Sequence, residues 1–233
     1  MSDTAVSVIL PVRNQADHIA QIVQSYETAL DRIGKSYELL LIVNASGDRS
    51  ASICRDLATG KPARKVLESA EGGWGRAVRL GFSGAAGDLV CYTNSARTRP
   101  EDLALLLFYA FAYPNTVVKA NRKIRDSWVR RLGSLAYNLE CRALFDLSNW
   151  DINGTPKVFP RTFDKLLSLT RDDDLIDLEF HVVCRREGYP VLEVPILSAR
   201  RHGGRSTTNI GSAIRMYVGA YRLRRTFRDV DRA

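Results

Sequence analysis

The sequence predicts an α/β protein with a Rossmann-like, mostly parallel sheet and helices on both faces. Three observations carry that prediction. Residues 1–113 alternate strand-like and helix-like segments four times, the pattern of a doubly wound sheet. The strand-like runs are apolar and β-branched, as strands covered on both faces should be. The segments between them carry apolar residues near a 3.6-residue period and stop at glycine or polar turns.

Each element follows from its own residues. VSVILPV (Val6 to Val12) is a short apolar run closed by Pro11, hence a buried strand. Residues 14–34 hold a helical period that stops at Gly34. YELLLIVN is the second strand, and ASGDRSASICRDLA is a polar turn running into a helix. RKVLES reads as a third strand, followed by EGGWGRAVRLGFSGAAG, a glycine-rich turn into a small-residue helix. DLVCYTN is the fourth strand and RPEDLALLLFYAFAY the next helix. Beyond residue 113 the pattern loosens. TVVKANRK, INGTPKVFP and PVLEVPILSARR read as strands, with SWVRRLGSLAYNLECRALF and DLEFHVVCRREG as helices. RHGGRSTTN is a loop before a last helix, Ile210 to Phe227.

Composition narrows the function classes. A chain of 233 residues suits one globular domain, alone or with a small appendage. No apolar run approaches the ~20 residues that span a bilayer, and no charged and apolar leader opens the sequence. The four cysteines lack metal-ligand spacing, so reduced thiols and a cytoplasmic location are expected. The net charge is +8, and eight arginines lie between Val194 and Arg228 with no Asp or Glu among them. Lys119, Arg122, Lys123, Arg125, Arg130 and Arg131 form a second basic cluster. Such patches attract phosphate on nucleotides, lipid head groups or nucleic acid. Nucleic acid is the weakest of these, because the sequence holds no helix-turn-helix, zinc-ligand set or aromatic RNA-binding motif.

In a parallel sheet the segments Pro11–Asn14, Val43–Ser50 and Thr93–Arg97 should lie side by side at the carboxyl ends of their strands, where nucleotides bind. Their order, with that of GGWGRAVRLGF, DINGTPKVFPRTF, DLEFHVVCRREGYPVLEVPI and RRHGGRS, resembles glycosyltransferase family 2, and within it the dolichol- and polyprenyl-phosphate sugar synthases. The resemblance runs from about Val6 to Ser206. It implies a GT-A domain over residues 1–206, with a nucleotide-sugar half (1–113) and an acceptor half (114–206), followed by a basic amphipathic helix (207–233). It also implies sugar transfer from a nucleoside diphosphate sugar by an inverting displacement, with a polyprenyl phosphate at a membrane surface as acceptor.

Residue by residue, the resemblance assigns nucleotide-sugar binding to Pro11, Val12, Arg13, Asn14, Asn44, Ser46, Asp48, Gly73, Arg76, Thr93, Asn94, Ser95 and Arg97. The family's first acid on the second strand is replaced by Val43, and its Asp-x-Asp metal motif by Thr93 and Ser95, with Arg97 two residues on. Mg²⁺ and Mn²⁺ prefer carboxylate oxygens, so the sequence assigns no metal ligand. A guanidinium can grip phosphate oxygens bidentately, which makes Arg97 a candidate stand-in for the cation. Asp151, Asp177 and Glu179 fall where the family places catalytic carboxylates. Arg122, Arg201, His202, Arg205 and Ser206 fall where it binds phosphates of donor or acceptor. The bland alternative for each is a capped turn, a structural ion pair or a solvated loop.

Two function readings follow. The first is an active transferase with weak or absent metal dependence. The second is a non-catalytic relative that binds nucleotide or lipid, or that partners an active enzyme. On the final helix Ile210, Ile214, Tyr217, Val218 and Tyr221 lie near one face and Arg215, Arg222, Arg225 and Arg228 lie elsewhere. Such a helix either packs on its own domain or rests on the inner face of an anionic membrane as a peripheral attachment.

Overall fold

The computed structural model describes residues 3–122, 128–197 and 210–230, with side chains over 3–122, 133–197 and 215–227. The first half follows the predicted alternation: β1 (Val6–Val12), α1 (Ile19–Asp31), β2 (Tyr37–Asn44), α2 (Ser50–Ala58), β3 (Arg64–Ser69), α3 (Trp74–Gly84), β4 (Leu89–Tyr92) and α4 (Pro100–Ala112). The second half is β5 (Val117–Arg122), α5 (Trp128–Phe145), β6 (Lys157–Pro160), a short α6 (Asp164–Leu167) that the sequence pattern does not announce, α7 (Ile176–Glu187), β7 (Val191–Ile196) and α8 (Ile210–Val230). The tail of the predicted final strand and the loop after it, residues 198–209, lie outside the described residues.

All seven strands form one sheet in the order β3-β2-β1-β4-β6-β5-β7. β1 pairs in parallel with β2 and β4, β2 with β3, and β5 with β7. β6 runs antiparallel to both of its neighbours, β4 and β5. The carboxyl ends of β1, β2, β4 and β5 therefore share one edge, and the amino end of β6 joins them there. The strand-like segment 152–160 shortens to Lys157–Pro160. Its first residues turn instead, with Asp151 in the left-handed region at φ 48°.

Period-two alternation sends neighbouring strand residues into different cores. Leu10, Leu39 and Leu41 pack with α1 and α4 through Val23, Tyr26, Leu103 and Leu107. Ile9, Leu40 and Ile42 pack with α3 and α7 through Val78, Phe82, Ile176 and Phe180. A third cluster joins α5, α7 and α8 through Cys141, Leu178, Ala220 and Leu223. All four cysteines are buried and free. Burial pushes the thiols of Cys54, Cys141 and Cys184 up to about 12, so they stay protonated and inert.

The last helix corrects its predicted face. Tyr217, Val218 and Tyr221 do not act together. Tyr217 packs inward with Ala220 and Leu223, while Val218 and Tyr221 are exposed. The cause is the small pair Gly219–Ala220, which lets the helix approach closely. A Cβ on Gly219 would stand 2.4 Å from Leu175 Cδ1.

Candidate active site

At the carboxyl edge the loops after β1 and β2 are stitched together. The Asn14 amide donates to Ser46 Oγ (3.1 Å), Gly47 N to Asn14 Oδ1 (2.8 Å), Gln15 N to Ser50 Oγ (2.8 Å) and Ala16 N to Asp48 Oδ2 (3.0 Å). Asn14 and Ala45 take positive φ, 51° and 46°, to make these turns. Burial acts to raise the Asp48 carboxyl, but the Ser50 hydroxyl and the Ala16 and Ser50 amides outweigh it and hold the group below the usual range. Pro11 and Val12 are buried at the end of β1, while Arg13 and Asn14 are exposed.

The loop after β4 is equally tied down, and its hydroxyls face inward. Thr93 and Ser95 are fully buried. Thr93 Oγ1 donates to Thr98 Oγ1 at 2.6 Å. Ser95 Oγ lies 2.9 Å from Gln15 Oε1 and 3.1 Å from the Pro11 carbonyl. Asn94 Oδ1 accepts from Ala96 N (3.1 Å), and Tyr26 OH donates to the Thr98 carbonyl (2.9 Å). Arg97 is half-buried on this rigid turn. These residues do not fit the family's divalent cation. The two hydroxyls at the metal-binding positions are engaged internally, the third position is a guanidinium, and no cluster of three or more Asp, Glu, His or Cys side chains suits a metal among the described residues.

Beside these loops lies the glycine turn. Gly73 adopts φ 150°, and a Cβ there would stand 2.4 Å from the Asp172 carbonyl oxygen. Arg76 donates from its amide to that carbonyl (3.1 Å) and pairs its guanidinium with Glu71 (2.8 Å) and Asp172 (2.9 Å). Asn44 Nδ2 donates to the Gly73 carbonyl at 2.8 Å, while its buried Oδ1 has no partner. A cavity of about 420 Å³ opens between Gly72–Gly73 and residues 170–173.

Behind the edge, beneath α7, is a balanced set of buried charges. Tyr92 pairs in register with Lys157, Lys157 with Lys119 and Lys119 with Glu193, so four strands carry them in one row. Lys157 is fully buried against Asp177, and its ammonium lies 5.3 Å and 5.5 Å from the ring centres of Tyr92 and Phe180. Asp177 also accepts from Tyr92 OH (2.9 Å) and Trp74 Nε1 (3.0 Å). Asp151 accepts three times from Arg122, from its amide (2.9 Å), Nε (2.7 Å) and Nη2 (2.7 Å). Glu179 accepts from Thr170 N (3.0 Å), Thr170 Oγ1 (2.7 Å) and Arg171 N (2.9 Å).

The structure thus gathers the residues predicted on β1, β2, β4 and α3 along one edge, with Arg122 and Asp151 beside them. Arg201, His202, Arg205 and Ser206 lie outside the described residues. Sequence reasoning placed Lys119 in a phosphate-attracting basic patch, whereas the structure buries it completely against Glu193, and it missed Glu193, Tyr92 and the 170–173 segment. The available signal was a Lys or Glu inside the apolar runs VVKANR and VLEVPI, which a buried strand tolerates only with a partner.

Comparison with known proteins bears on the family and the fold. The model of glycosyl transferase family 2 matches residues 7–173. An undecaprenyl-phosphate 4-deoxy-4-formamido-L-arabinose transferase of Edwardsiella ictaluri (strain 93-146) is 32% identical over 136 residues, 57% of this chain and 42% of its own. The protein of the same name from Enterobacter sp. (strain 638) is 26% identical over 205 residues, 86% of this chain and 62% of its own. The chain therefore spans less than two thirds of these relatives. Glucosyl-3-phosphoglycerate synthase from Mycobacterium tuberculosis, solved with Mn²⁺, UDP and glucosyl-3-phosphoglycerate, superposes with a TM-score of 0.72 at 18% identity, over 95% of this chain and 80% of that one. The fold is GT-A.

Proposed function

Since the chain belongs to glycosyl transferase family 2, we propose that it moves a sugar from a nucleoside diphosphate sugar onto a polyprenyl phosphate. An acceptor phosphate oxygen attacks the anomeric carbon, the bond from that carbon to the diphosphate oxygen breaks, and the nucleoside diphosphate leaves with inversion. The observation that carries this reading is the engagement of every candidate carboxylate. Asp151 is filled by Arg122, Asp177 by Lys157, Tyr92 and Trp74, and Glu179 by the 170–171 amides. None is set to take a proton, as a sugar hydroxyl would require. A phosphate acceptor arrives ionised and needs no base. The undecaprenyl-phosphate substrate in the names of the relatives supports the same acceptor class.

In this reading the nucleoside lies over Pro11–Asn14 and Asn44–Asp48. Arg97, rather than a cation, faces the diphosphate, and Arg122 faces the acceptor phosphate. Arg201, His202, Arg205 and Ser206 would add phosphate contacts. Asp151, Asp177 and Glu179 act by positioning. Calorimetry with UDP and GDP in EDTA tests the donor half. We expect binding without metal, weakened at least roughly tenfold in Arg97→Ala. Strict dependence on Mn²⁺ would sink the role given to Arg97, and no binding with or without Mn²⁺ would favour the non-catalytic relative.

Among the described residues no helix is long and apolar enough to cross a membrane. The reading places the chain peripherally on an anionic bilayer instead. Leu135 and Leu139 of α5 are exposed, as are Val218, Tyr221, Arg215, Arg222 and Arg225 of α8. Exposed apolar side chains and arginines on the same helix suit a lipid interface. Sedimentation with vesicles should show binding to phosphatidylglycerol but not to phosphatidylcholine, and its loss in Arg222→Glu/Arg225→Glu. Equal indifference to both lipids would remove the membrane from the proposal.

A further inference from the structure

Lys119 is a fully buried cation whose three protons meet three acceptors. Its ammonium donates to the Trp150 carbonyl, to the Asp151 carbonyl (2.9 Å) and to Glu193 Oε1 (3.0 Å). Glu193 Oε1 also accepts from Trp150 N at 2.9 Å. One residue pair, from two neighbouring strands, thus grips both the N–H and the C=O of Trp150 and the C=O of Asp151. The gripped segment includes a left-handed residue. Asp151 sits at φ 48°, a region costly for a residue other than glycine. In that conformation its carboxylate meets Arg122 side-on, and the neighbouring Asn153 carbonyl accepts from Arg122 Nη2 at 2.9 Å. The Arg122 guanidinium is therefore aimed by Asp151 and Asn153, and their loop is aimed by Lys119 and Glu193.

We propose that Lys119 and Glu193 are positioning residues that clamp the 150–153 segment and so orient Arg122 toward the acceptor phosphate. The clamp is read directly from the hydrogen bonds; its functional consequence rests on the acceptor reading above.

The clamp needs the ammonium. A neutral amine has two N–H donors for three acceptors, so one backbone carbonyl or Glu193 is left unmet. Burial pulls the Lys119 pKa from 10.5 to about 8. The groups that face it are Glu193 from β7 and Asp151 from the loop, which favour the proton, and Lys157 from β6, which opposes it. His181 from α7 also lies in this field and is held neutral by its own burial and by the two lysines. At Lys119 the clamp and the stability contribution move in opposite directions with pH. Between about 8 and 10.5 the folded chain binds fewer protons at Lys119 than the unfolded chain, so this group's contribution to stability rises with pH. Over the same window the clamp loses a donor. A loss of acceptor binding there therefore does not come from destabilisation at Lys119 itself.

The test uses the full chain labelled with 5-fluorotryptophan, the Trp150 resonance being identified by its absence in Trp150→Phe. We expect that resonance to shift with pH about a midpoint near 8. It should be unresponsive in Lys119→Met. In Glu193→Gln, which keeps an acceptor for Trp150 N but removes the counter-charge, the midpoint should fall. Calorimetry with farnesyl phosphate should show affinity at least roughly tenfold weaker in Lys119→Met, and weaker for the native chain above the midpoint, with UDP affinity unchanged. A Trp150 signal that ignores pH in the native chain overturns the clamp. Undiminished farnesyl phosphate binding by Lys119→Met overturns its role in positioning Arg122. A Trp150 transition in a native chain that binds no farnesyl phosphate upholds the clamp and rejects the acceptor reading instead.

Discussion

Replacing Asp177 with alanine should lower the unfolding free energy by about 3–5 kcal/mol, the typical cost of stripping one partner from a buried ion pair. For a chain of this length that corresponds to a thermal midpoint lower by roughly 10 °C. Asp177 is the sole carboxylate among the described residues that is hydrogen-bonded to the fully buried Lys157, and it also serves Tyr92 OH and Trp74 Nε1. The variant leaves an ammonium and two further donors unmet in one place. Adding Lys157→Met should recover part of the loss, because an apolar side chain of similar length asks for no partner. The deficit should also shrink at alkaline pH. Burial already lowers the Lys157 pKa, and loss of its anion lowers it further. The folded variant then sheds this proton before the unfolded chain does, and stability rises with pH through that window. Denaturant unfolding at neutral and alkaline pH measures both effects. A loss below about 1 kcal/mol, or one that grows with pH, would show that Lys157 is not held by Asp177.

The same pair illustrates what the sequence can and cannot express. The strands β1 to β4 were legible because each is a short apolar run bounded by turn residues, and their parallel order follows from the helices between them. The direction of β6 was not, since KVFP reads alike in either sense and its antiparallel setting comes from its neighbours β4 and β5. Turn chemistry located the loops at Asn14, Ser46 and Asp48. It gave no sign that these side chains would meet each other's backbones across the β1 and β2 loops rather than point outward. Lys119 stands out inside VVKANR, but its partner Glu193 is 74 residues away, beyond any local pattern. On α8 a wheel sorts residues by polarity. The structure sorts them by size, with Gly219 and Ala220 deciding which side approaches α7.

Restoring a carboxylate at the missing metal motif should damage the protein instead of reviving cation binding. Ser95→Asp is the sharper case. Its hydroxyl is fully buried between the Pro11 carbonyl and Gln15 Oε1, two acceptors. The Gln15 amide can turn to present its N–H, but the Pro11 carbonyl has nothing to donate. A carboxylate there is desolvated next to an opposed oxygen, at a cost of at least about 2 kcal/mol. Thr93→Asp is milder, since the Thr98 hydroxyl can reverse and donate. We expect Ser95→Asp to unfold several degrees earlier, with the same midpoint in Mn²⁺ and in EDTA. A midpoint raised by Mn²⁺ would mean that the loop retains a cation geometry and lacks only the charge. The two outcomes separate a motif that has merely lost its acids from one whose remaining side chains now brace the β1 and β4 loops against each other. The bonds of Ser95 and Thr93 belong to the second kind. Under the proposed donor reading, a site braced in that way leaves the diphosphate charge to be met by arginine, the residue type that this sequence carries in excess between Val194 and Arg228.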